Sequence, residues 1–412
     1  MINNTINVLQ EPSEQEKRQK QFEINLRQVL KNQAKIGHLR KIYFIHNTKN
    51  TDKVFEAIRK EISREAVDMQ DWNKVCPLKW LLFQQVLLKL KDSNVPVSST
   101  KALLKIAKHT DINISEDHEL KECLQYCHDI GSVVYFDEEN LADYVILDPK
   151  WLINAFRCFF SDTIENVIKV SNDWQQLTNT GLLTDGLISR LFSKKPELKF
   201  EDNKVHLIEV MKRFDFIVNL RNSTAFYMPC MIKTCSLSEV QRQFSDGSQP
   251  FYKTSWICLE FKFLPPVFFN HIIAWYIKQY QVSVITKKGI RSKTNALYRQ
   301  VGVFDLDQSS YERLVVCEGP NTIALQVWNS RVSNTTYGNL VSELFRFVEL
   351  VRKRYNLYIS YTNTFTCKDG DFKINRQTIE SLLSTKYRCL EHKTDHLSGE
   401  LIQPWNFTLH VK

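Results

Sequence analysis

The most constraining feature of the sequence is one stretch that begins at His128 and reads HDIGSVVYFDEENLADYVILDPKW. Its single glycine can adopt the left-handed backbone that ends a helix. Two β-rich runs, at 133–136 and 144–147, flank an acidic loop, and this pattern predicts a hairpin. Asp148 and Pro149 then predict a new helix, because aspartate caps a helix N-terminus and proline fits its first turn. The order helix, hairpin, helix predicts a winged-helix-like module.

Helical patterns surround this stretch. Apolar residues at helical spacing predict helices at 77–90, 99–109 and 115–129, and further helices follow the stretch. The strand-like segment AFYMP closes this half of the chain near Met231. The first half is therefore predicted to be mainly helical.

The second half contains mostly β-rich segments, namely SWICLEFKF, ALYRQVGVFDL, YERLVVCEG and NTIALQVWN, separated by turn residues. Amphipathic helices are predicted at 266–279 and 340–354. This order predicts an antiparallel sheet with helices on one face, so that the fold class of the chain is α+β.

The first 68 residues have another character. A charged helical pattern at 14–36 precedes a strand at 39–45, a polar loop and a helix from Asp52. This order is typical of the end of an α/β domain, but only one strand is predicted before residue 67. We therefore expect the chain to begin partway through such a domain.

Composition limits the class of protein. The 412 residues are 43% hydrophobic, which is enough for two or three domains with cores of their own. The ten cysteines are scattered and several lie in apolar segments, as is typical of reduced thiols in an intracellular protein. No signal peptide or membrane span is predicted, and we expect a cytoplasmic location. The 55 basic and 46 acidic residues give a net charge of +9, a modest and mixed excess.

Several segments resemble, in the right order, the COR (C-terminal of Roc) domain of Roco proteins. They are WNKVCPLKWLLFQQVLL, CHDIGSVVYF with YVILDPKWLINAF, FDFIVNL with FYMPC, and LEFKFLPPVFFNHIIAWYI. The resemblance extends from about Trp72 to the C-terminus. It implies a C-terminal remnant of a Roc-type GTPase domain at 1–68, a winged-helix-like COR-A half at 69–230, and an α+β COR-B half at 231–412.

The resemblance implies a regulatory module without chemistry of its own. Such a module joins two protomers into a homodimer and packs against a Roc GTPase domain, in cis or in trans, in intracellular signalling. The alternative is a winged-helix protein that binds nucleic acid, with Lys101, Lys105 and Lys108 close together on a predicted helix. A solvated lysine face is the commoner cause of that pattern, and the helix lacks the arginine and asparagine that bind base edges bidentately.

The first segment bears on nucleotide binding. The resemblance implies that the guanine-facing loop of the GTPase follows the strand KIYFIHNT, so that His46, Asn47 and Thr48 would lie near the base in a complete Roc domain. The sequence contains no G-x-x-x-x-G-K-[ST], and GIRSKT at Gly289 has one glycine too few. We therefore predict that the chain is not an enzyme and has no cofactor, with GTP bound only in the context of a complete Roc domain.

The nearest approach to a metal site is Cys389, His392 and His396, with Cys367 as a possible fourth ligand. Thiolates and imidazoles at that spacing can bind one zinc ion. The competing interpretation is a terminal helix with one buried cysteine and two surface histidines. Because no second cysteine pair has zinc-type spacing, the sequence favours no metal, with the zinc site as the alternative.

Aromatic residues make up 12% of the chain and are concentrated in the second half. Aromatic side chains are enriched at protein interfaces. We therefore expect part of the helix at 266–279, with the adjoining sheet edge, to form a subunit interface.

Overall fold

The structure is a computed structural model. It describes residues 2–4, 12–30, 39–45, 50–69, 72, 75–160, 171–220, 224–245, 251–265, 267–286, 293–332, 335–355, 359–382 and 384–406. The chain divides into two compact units, Met1–Leu78 and Lys79–Lys412.

In its described residues, the first unit contains two helices and a pair of strands. The helices are α1 (Pro12–Leu30) and α2 (Asp52–Val67), and the strands β1 (Ile2–Asn4) and β2 (Tyr43–Ile45) are parallel neighbours. The expectation of a single strand before α2 was wrong. The additional strand is only three residues long with one apolar side chain, so it carries no alternation that a sequence pattern could detect.

The first half of the second unit is mainly helical. Its helices are α3 (Leu78–Asp92), α4 (Thr100–Ala107), α5 (Asp117–Asp129), α6 (Pro149–Arg157), α7 (Asn172–Thr180), α8 (Asp185–Phe192) and α9 (Lys204–Arg213). Its strands are β3 (Val97–Ser99), β4 (Tyr144–Ile146), β5 (Leu182–Leu183), β6 (Val218–Asn219) and β7 (Phe226–Tyr227). Strands β3 and β4 pair with each other, and β7 lies between β5 and β6.

The stretch between α5 and α6 follows most of its sequence signals. Gly131 has a φ of 74°, and Asp148 accepts a hydrogen bond from the backbone N–H of Lys150 at 3.1 Å beside Pro149 in the first turn of α6. The hairpin differs from the expectation. Strand β4 pairs over three residues with β3, which was not predicted, and forms a single bridge with Val134. The winged-helix-like arrangement stays a prediction.

The second half is built on one sheet. Its helices are α10 (Leu237–Ser245), α11 (Phe268–Gln279), α12 (Gly338–Arg354) and α13 (Ser398–Ile402). Its strands are β8 (Tyr252–Lys253), β9 (Trp256–Phe261), β10 (Gln281–Val282), β11 (Val284–Thr286), β12 (Lys293–Asn295), β13 (Leu297–Tyr298), β14 (Val301–Asp305), β15 (Glu312–Gly319), β16 (Thr322–Asn329), β17 (Tyr361–Thr366), β18 (Gln377–Thr378), β19 (Lys386–Arg388) and β20 (Asp395–Leu397).

The main sheet has the strand order β10-β14-β15-β16-β9-β17-β18, with β13 on β14 and β8 on β16, and its strands pair antiparallel. Helices α11 and α12 cover one face. The opposite face is also covered, because Val240 of α10 and Phe372 pack there against Trp256 and Trp328. The chain is thus α+β, and both faces of its main sheet are buried rather than one.

Helix α11 does not offer the interface expected of it. Its buried side chains are Phe268, Phe269, His271, Ile272, Ile273, Ala274, Tyr276 and Ile277. Trp275, on a further side of the helix, stacks on Phe347 of α12 with ring centroids 5.0 Å apart. The aromatic residues of this helix therefore fill the core between the sheet and α12, because helix and sheet faces bury apolar area most effectively against each other.

Within the described ranges, every helix falls short of the length and apolar character that crossing a membrane requires.

Candidate functional site

Four ligand-type side chains converge near the C-terminal end of the described chain. The ligating atoms of Cys367, Cys389, His392 and His396 all lie within 4.8 Å of one another. The two Sγ atoms are 3.9 Å apart, and each is 3.4 Å from Nδ1 of His392. Both cysteines are buried, whereas His392 is exposed and His396 is half-buried. The three residues of the sequence alternative, and the fourth ligand suggested for them, are therefore brought together.

These ligands come from two separate segments. Cys367 directly follows β17, and the other three lie on or between β19 and β20. The backbone N–H of Cys389 donates to the carbonyl of Thr394 at 2.9 Å, which closes the turn that carries His392. The competing interpretation of a terminal helix was wrong, since these residues form a turn between two antiparallel strands.

The chain around the cluster is closely fitted to the sulfur of Cys367. A Cβ atom added at Gly370 would lie 2.8 Å from that sulfur, so a larger residue there would have to displace it. The carboxylate of Glu391 accepts a hydrogen bond from the backbone N–H of Asp371 at 2.9 Å, which ties this loop to the turn. The ring of Tyr387 stacks on His396 with centroids 5.6 Å apart. Both ligand-bearing segments are thus held in place by contacts outside the cluster.

The cluster lies in a poor environment for an isolated thiolate. Burial raises the pKa of the Cys367 thiol to about 11, and the neighbouring Cys389 sulfur adds to the rise, while the backbone amides of Asp369 and Gly370 act in the opposite direction. Desolvation has this effect because it disfavours the charged form of a group. Cys367, His392 and His396 line a cleft of about 1000 Å³ that is also lined by Lys253 and Glu400.

A second polar cluster lies where the two halves of the second unit meet. Asp215, which follows α9, is only 4% exposed. One carboxylate oxygen lies 2.9 Å from Nδ1 of His271 and the other accepts from Nζ of Lys278 at 3.0 Å, both on α11. A guanidinium nitrogen of Arg354, at the end of α12, is 3.7 Å away. We call these four residues the Asp215 junction.

The cations of the junction keep its carboxylate ionised. Burial acts to raise the pKa of Asp215, but the hydrogen bonds and charges of His271 and Lys278 together outweigh it and leave the pKa below its usual range. Asp215 also has a φ of 54°, which is uncommon for a residue other than glycine. Sequence analysis missed this residue, although an aspartate flanked by two phenylalanines in FDFIV is a detectable signal of a buried polar group.

The residues expected near a guanine base, His46, Asn47 and Thr48, lie outside the described residues. The lysines of the nucleic-acid alternative, Lys101, Lys105 and Lys108, are all exposed on and just after α4.

One family model and several known proteins match parts of this chain. Residues 77–232 match the family model described as the C-terminal of Roc, COR-A domain. Among curated proteins of Dictyostelium discoideum, the probable serine/threonine-protein kinase qkgA is 22% identical over 123 residues, 30% of this chain and 7% of that protein. The probable serine/threonine-protein kinase roco6 is 24% identical over 161 residues, 39% of this chain and 7% of that protein. The matched segments thus cover less than a tenth of these relatives.

One solved structure, that of Methanosarcina barkeri Roco2 RocCORdC bound to GDP, aligns with 46% of this chain and 54% of its own at 15% identity and a TM-score of 0.34.

Proposed function

We propose that this chain, whose residues 77–232 match the COR-A family model, is the COR domain region of a Roco protein and acts as a non-catalytic regulatory module coupled to a Roc GTPase domain in intracellular signalling. In this proposal, residues 1–68 are the C-terminal remnant of a Roc-type domain, 69–230 the COR-A half and 231–412 the COR-B half. The Roc partner belongs to the same protein or to another copy.

The proposal rests mainly on one observation: the last residues of the COR-A half pack into the hydrophobic core of the COR-B half. Val218 and Tyr227 belong to the hydrophobic core formed by α11, α12 and the main sheet. The Asp215 junction lies beside them. A module that transmits the state of a GTPase must move its parts together, and a shared core with a buried ionic contact makes the two halves mechanically continuous.

We propose that the Roc domain docks on the exposed side of α3 and α4. Leu81 and Leu82 on α3 are 39% and 42% exposed. Leu82 also lines a cleft of about 480 Å³ with Val86, Ile106 and Lys105. Apolar side chains around a cleft with a charged rim are typical of a protein interface. Helix α3 is the first helix of the matched region, residues 77–232.

Sedimentation velocity tests this docking. The 412-residue chain is mixed with a Roc GTPase domain from the same organism, loaded with GDP or with a GTP analogue, and a complex is expected in at least one state. Leu81→Glu with Leu82→Glu should abolish the complex, whereas Ile153→Glu, at another exposed apolar position, should not. Loss of binding in the control variant alone would contradict the docking surface.

Homodimerisation is proposed from the family and is tested with the whole chain. A segment starting at residue 231 would lose Val218 and Tyr227 from the core of the COR-B half, so it is a poor test of association. The intact chain is expected to show concentration-dependent dimerisation at micromolar concentration. A monomer at every concentration, alone and with the Roc domain, would contradict the proposal.

We further propose that the chain by itself neither hydrolyses GTP nor needs a nucleotide. The phosphate-binding loop that dominates nucleotide affinity in P-loop proteins is missing from its sequence. Calorimetric titration with GTP and magnesium is expected to give no submicromolar binding. A cytoplasmic location is proposed because the ten cysteines are scattered through the sequence and several lie in apolar segments, as is typical of reduced thiols.

The nucleic-acid alternative gains no specific observation. In a winged helix, the third helix enters the major groove, and here that helix is α5. Its first turn carries Asp117 and Glu119. Acidic side chains repel phosphates, so this helix is a poor match for a DNA groove.

A further inference from the structure

We propose that Cys367, Cys389, His392 and His396 form a structural zinc site that fastens the C-terminal segment to the main sheet. The inference is independent of the proposed function, because it rests on the cluster's geometry alone. The four ligand-type atoms lie within 4.8 Å of one another, and they come from two segments more than twenty residues apart.

The distances among Cys367, Cys389 and His392 match tetrahedral zinc coordination, and the ligand atom of His396 lies within 4.8 Å of the other three. Two thiolates bound to one zinc ion at about 2.3 Å lie about 3.8 Å apart, and a thiolate and an imidazole nitrogen lie about 3.5 Å apart. The corresponding separations here are 3.9 Å between the Sγ atoms of Cys367 and Cys389, and 3.4 Å from each sulfur to Nδ1 of His392. A disulfide requires the sulfurs to approach to about 2.05 Å, so these cysteines are spaced as ligands rather than as a covalent pair.

The type of ligand selects the metal. Two thiolates with two imidazoles form the Cys2His2 set of structural zinc sites, whereas magnesium and calcium prefer oxygen ligands. Two thiolates neutralise a divalent cation, so the site is close to neutral when filled and tolerates the burial of both sulfurs. Four protein ligands leave no open position for a substrate, which indicates a structural role and not a catalytic one.

The surrounding chain explains what the metal would fasten. Strands β18, β19 and β20 have only two or three residues each. Cys367 continues from β17, an inner strand of the main sheet, so it provides a rigid anchor. Short elements that bury little apolar area are commonly held by a metal or a disulfide. The close passage of Gly370 and the bond from Asp371 to Glu391 pre-position the ligands for that purpose.

Metal analysis of the full-length chain tests the proposal. Protein purified under reducing conditions without added chelator is expected to contain one zinc ion per chain, as measured by elemental mass spectrometry. After removal of the zinc, added Co²⁺ is expected to give the thiolate charge-transfer band and the intense visible bands of a tetrahedral thiolate site. Cys367→Ser and Cys389→Ser should each abolish both signals.

Matched controls separate the site from general thiol or imidazole binding. Cys76→Ser and His118→Asn alter a cysteine and a highly exposed histidine outside the cluster and should retain one zinc. His392→Cys supplies a third thiolate, so it should keep one metal while the charge-transfer band grows by about half. This variant keeps the test decisive if the serine variants fail to fold.

Three outcomes would overturn the proposal. They are a purified chain that contains no zinc and stays colourless with Co²⁺, a disulfide between Cys367 and Cys389 in protein isolated from reducing cells, and equal zinc loss in the Cys76→Ser control.

Discussion

The Asp215 junction and the Cys/His cluster of residues 367, 389, 392 and 396 are both polar groups in a largely apolar half of the protein, and they satisfy their charge in opposite ways. Asp215 is buried and has its partners among side chains, with Nδ1 of His271 at 2.9 Å and Nζ of Lys278 at 3.0 Å. The Cys/His cluster brings together two sulfurs and two imidazoles, all of which can donate lone pairs. The junction is complete as a protein structure, whereas the cluster is a ligand set. The free-energy cost of burying a polar group is thus offset by protein side chains at the junction and by a bound cation from solution at the cluster.

Removal of metal should give the largest effect and should separate the two regions. With the proposed zinc site, a strong chelator is expected to lower the free energy of unfolding by about 4 kcal/mol, the stabilisation provided by a ligand at a thousand times its dissociation constant. Hydrogen exchange should accelerate in β19 and β20 while the backbone around Asp215 stays protected. Zinc added back should restore protection. Equal acceleration at both places would break the comparison.

Substitution of Asp215 should give the next largest effect, on stability alone. Asp215→Ala leaves His271 buried without its carboxylate partner, and the loss of one member of a buried pair costs about 3 kcal/mol. Denaturant melts of the purified chain measure this change. Zinc content serves as the control and should remain at the wild-type value. An unchanged melt would show that the junction contributes nothing to the contact between the halves.

Acid should weaken the junction in a defined pH range. The pKa of Asp215 is lowered in the folded chain, so its contribution to stability is present above its unfolded pKa of about 3.9 and is lost as the pH falls through the lower folded value. Asp215→Asn cannot ionise. The stability advantage of the wild type over this variant at pH 5 should therefore shrink below about pH 4. If the stability advantage of the wild type instead grew below pH 4, the lowered pKa of Asp215 would be contradicted.

Neutralising Lys278 should give the smallest effect. Its side chain is 50% exposed, although it bonds to the buried carboxylate of Asp215. Half-exposed ion pairs are screened by water, so Lys278→Met is expected to cost less than about 1 kcal/mol. Arg352→Met, which breaks a pair with Glu349 on the surface of α12, is the matched control. If Lys278→Met lowered the free energy of unfolding as much as Asp215→Ala, the stability of the junction would depend mainly on Lys278.

Part of the Cys/His cluster was within reach of the sequence. The spacing of Cys389, His392 and His396 is local, and it indicated these residues as the alternative zinc ligands, although the sequence favoured no metal. The sequence could not show whether these residues form a helix or a turn, because the intervening residues fit both. The pairing of β19 with β20 decides for the turn. The Asp215 junction was beyond reach, since its partners His271, Lys278 and Arg354 lie 56 or more residues away.

The sequence by itself determined the local signals: the glycine that ends α5, the cap of Asp148, the helices at apolar spacing and the antiparallel β character of the second half. These depend on hydrogen bonds and side-chain periodicity within a few residues. Only the tertiary structure decided that α11 is buried, that β1 pairs with β2 and that Cys367 meets Cys389. Such contacts follow from strand order and from the competition of all apolar faces for the same core, which no local pattern encodes.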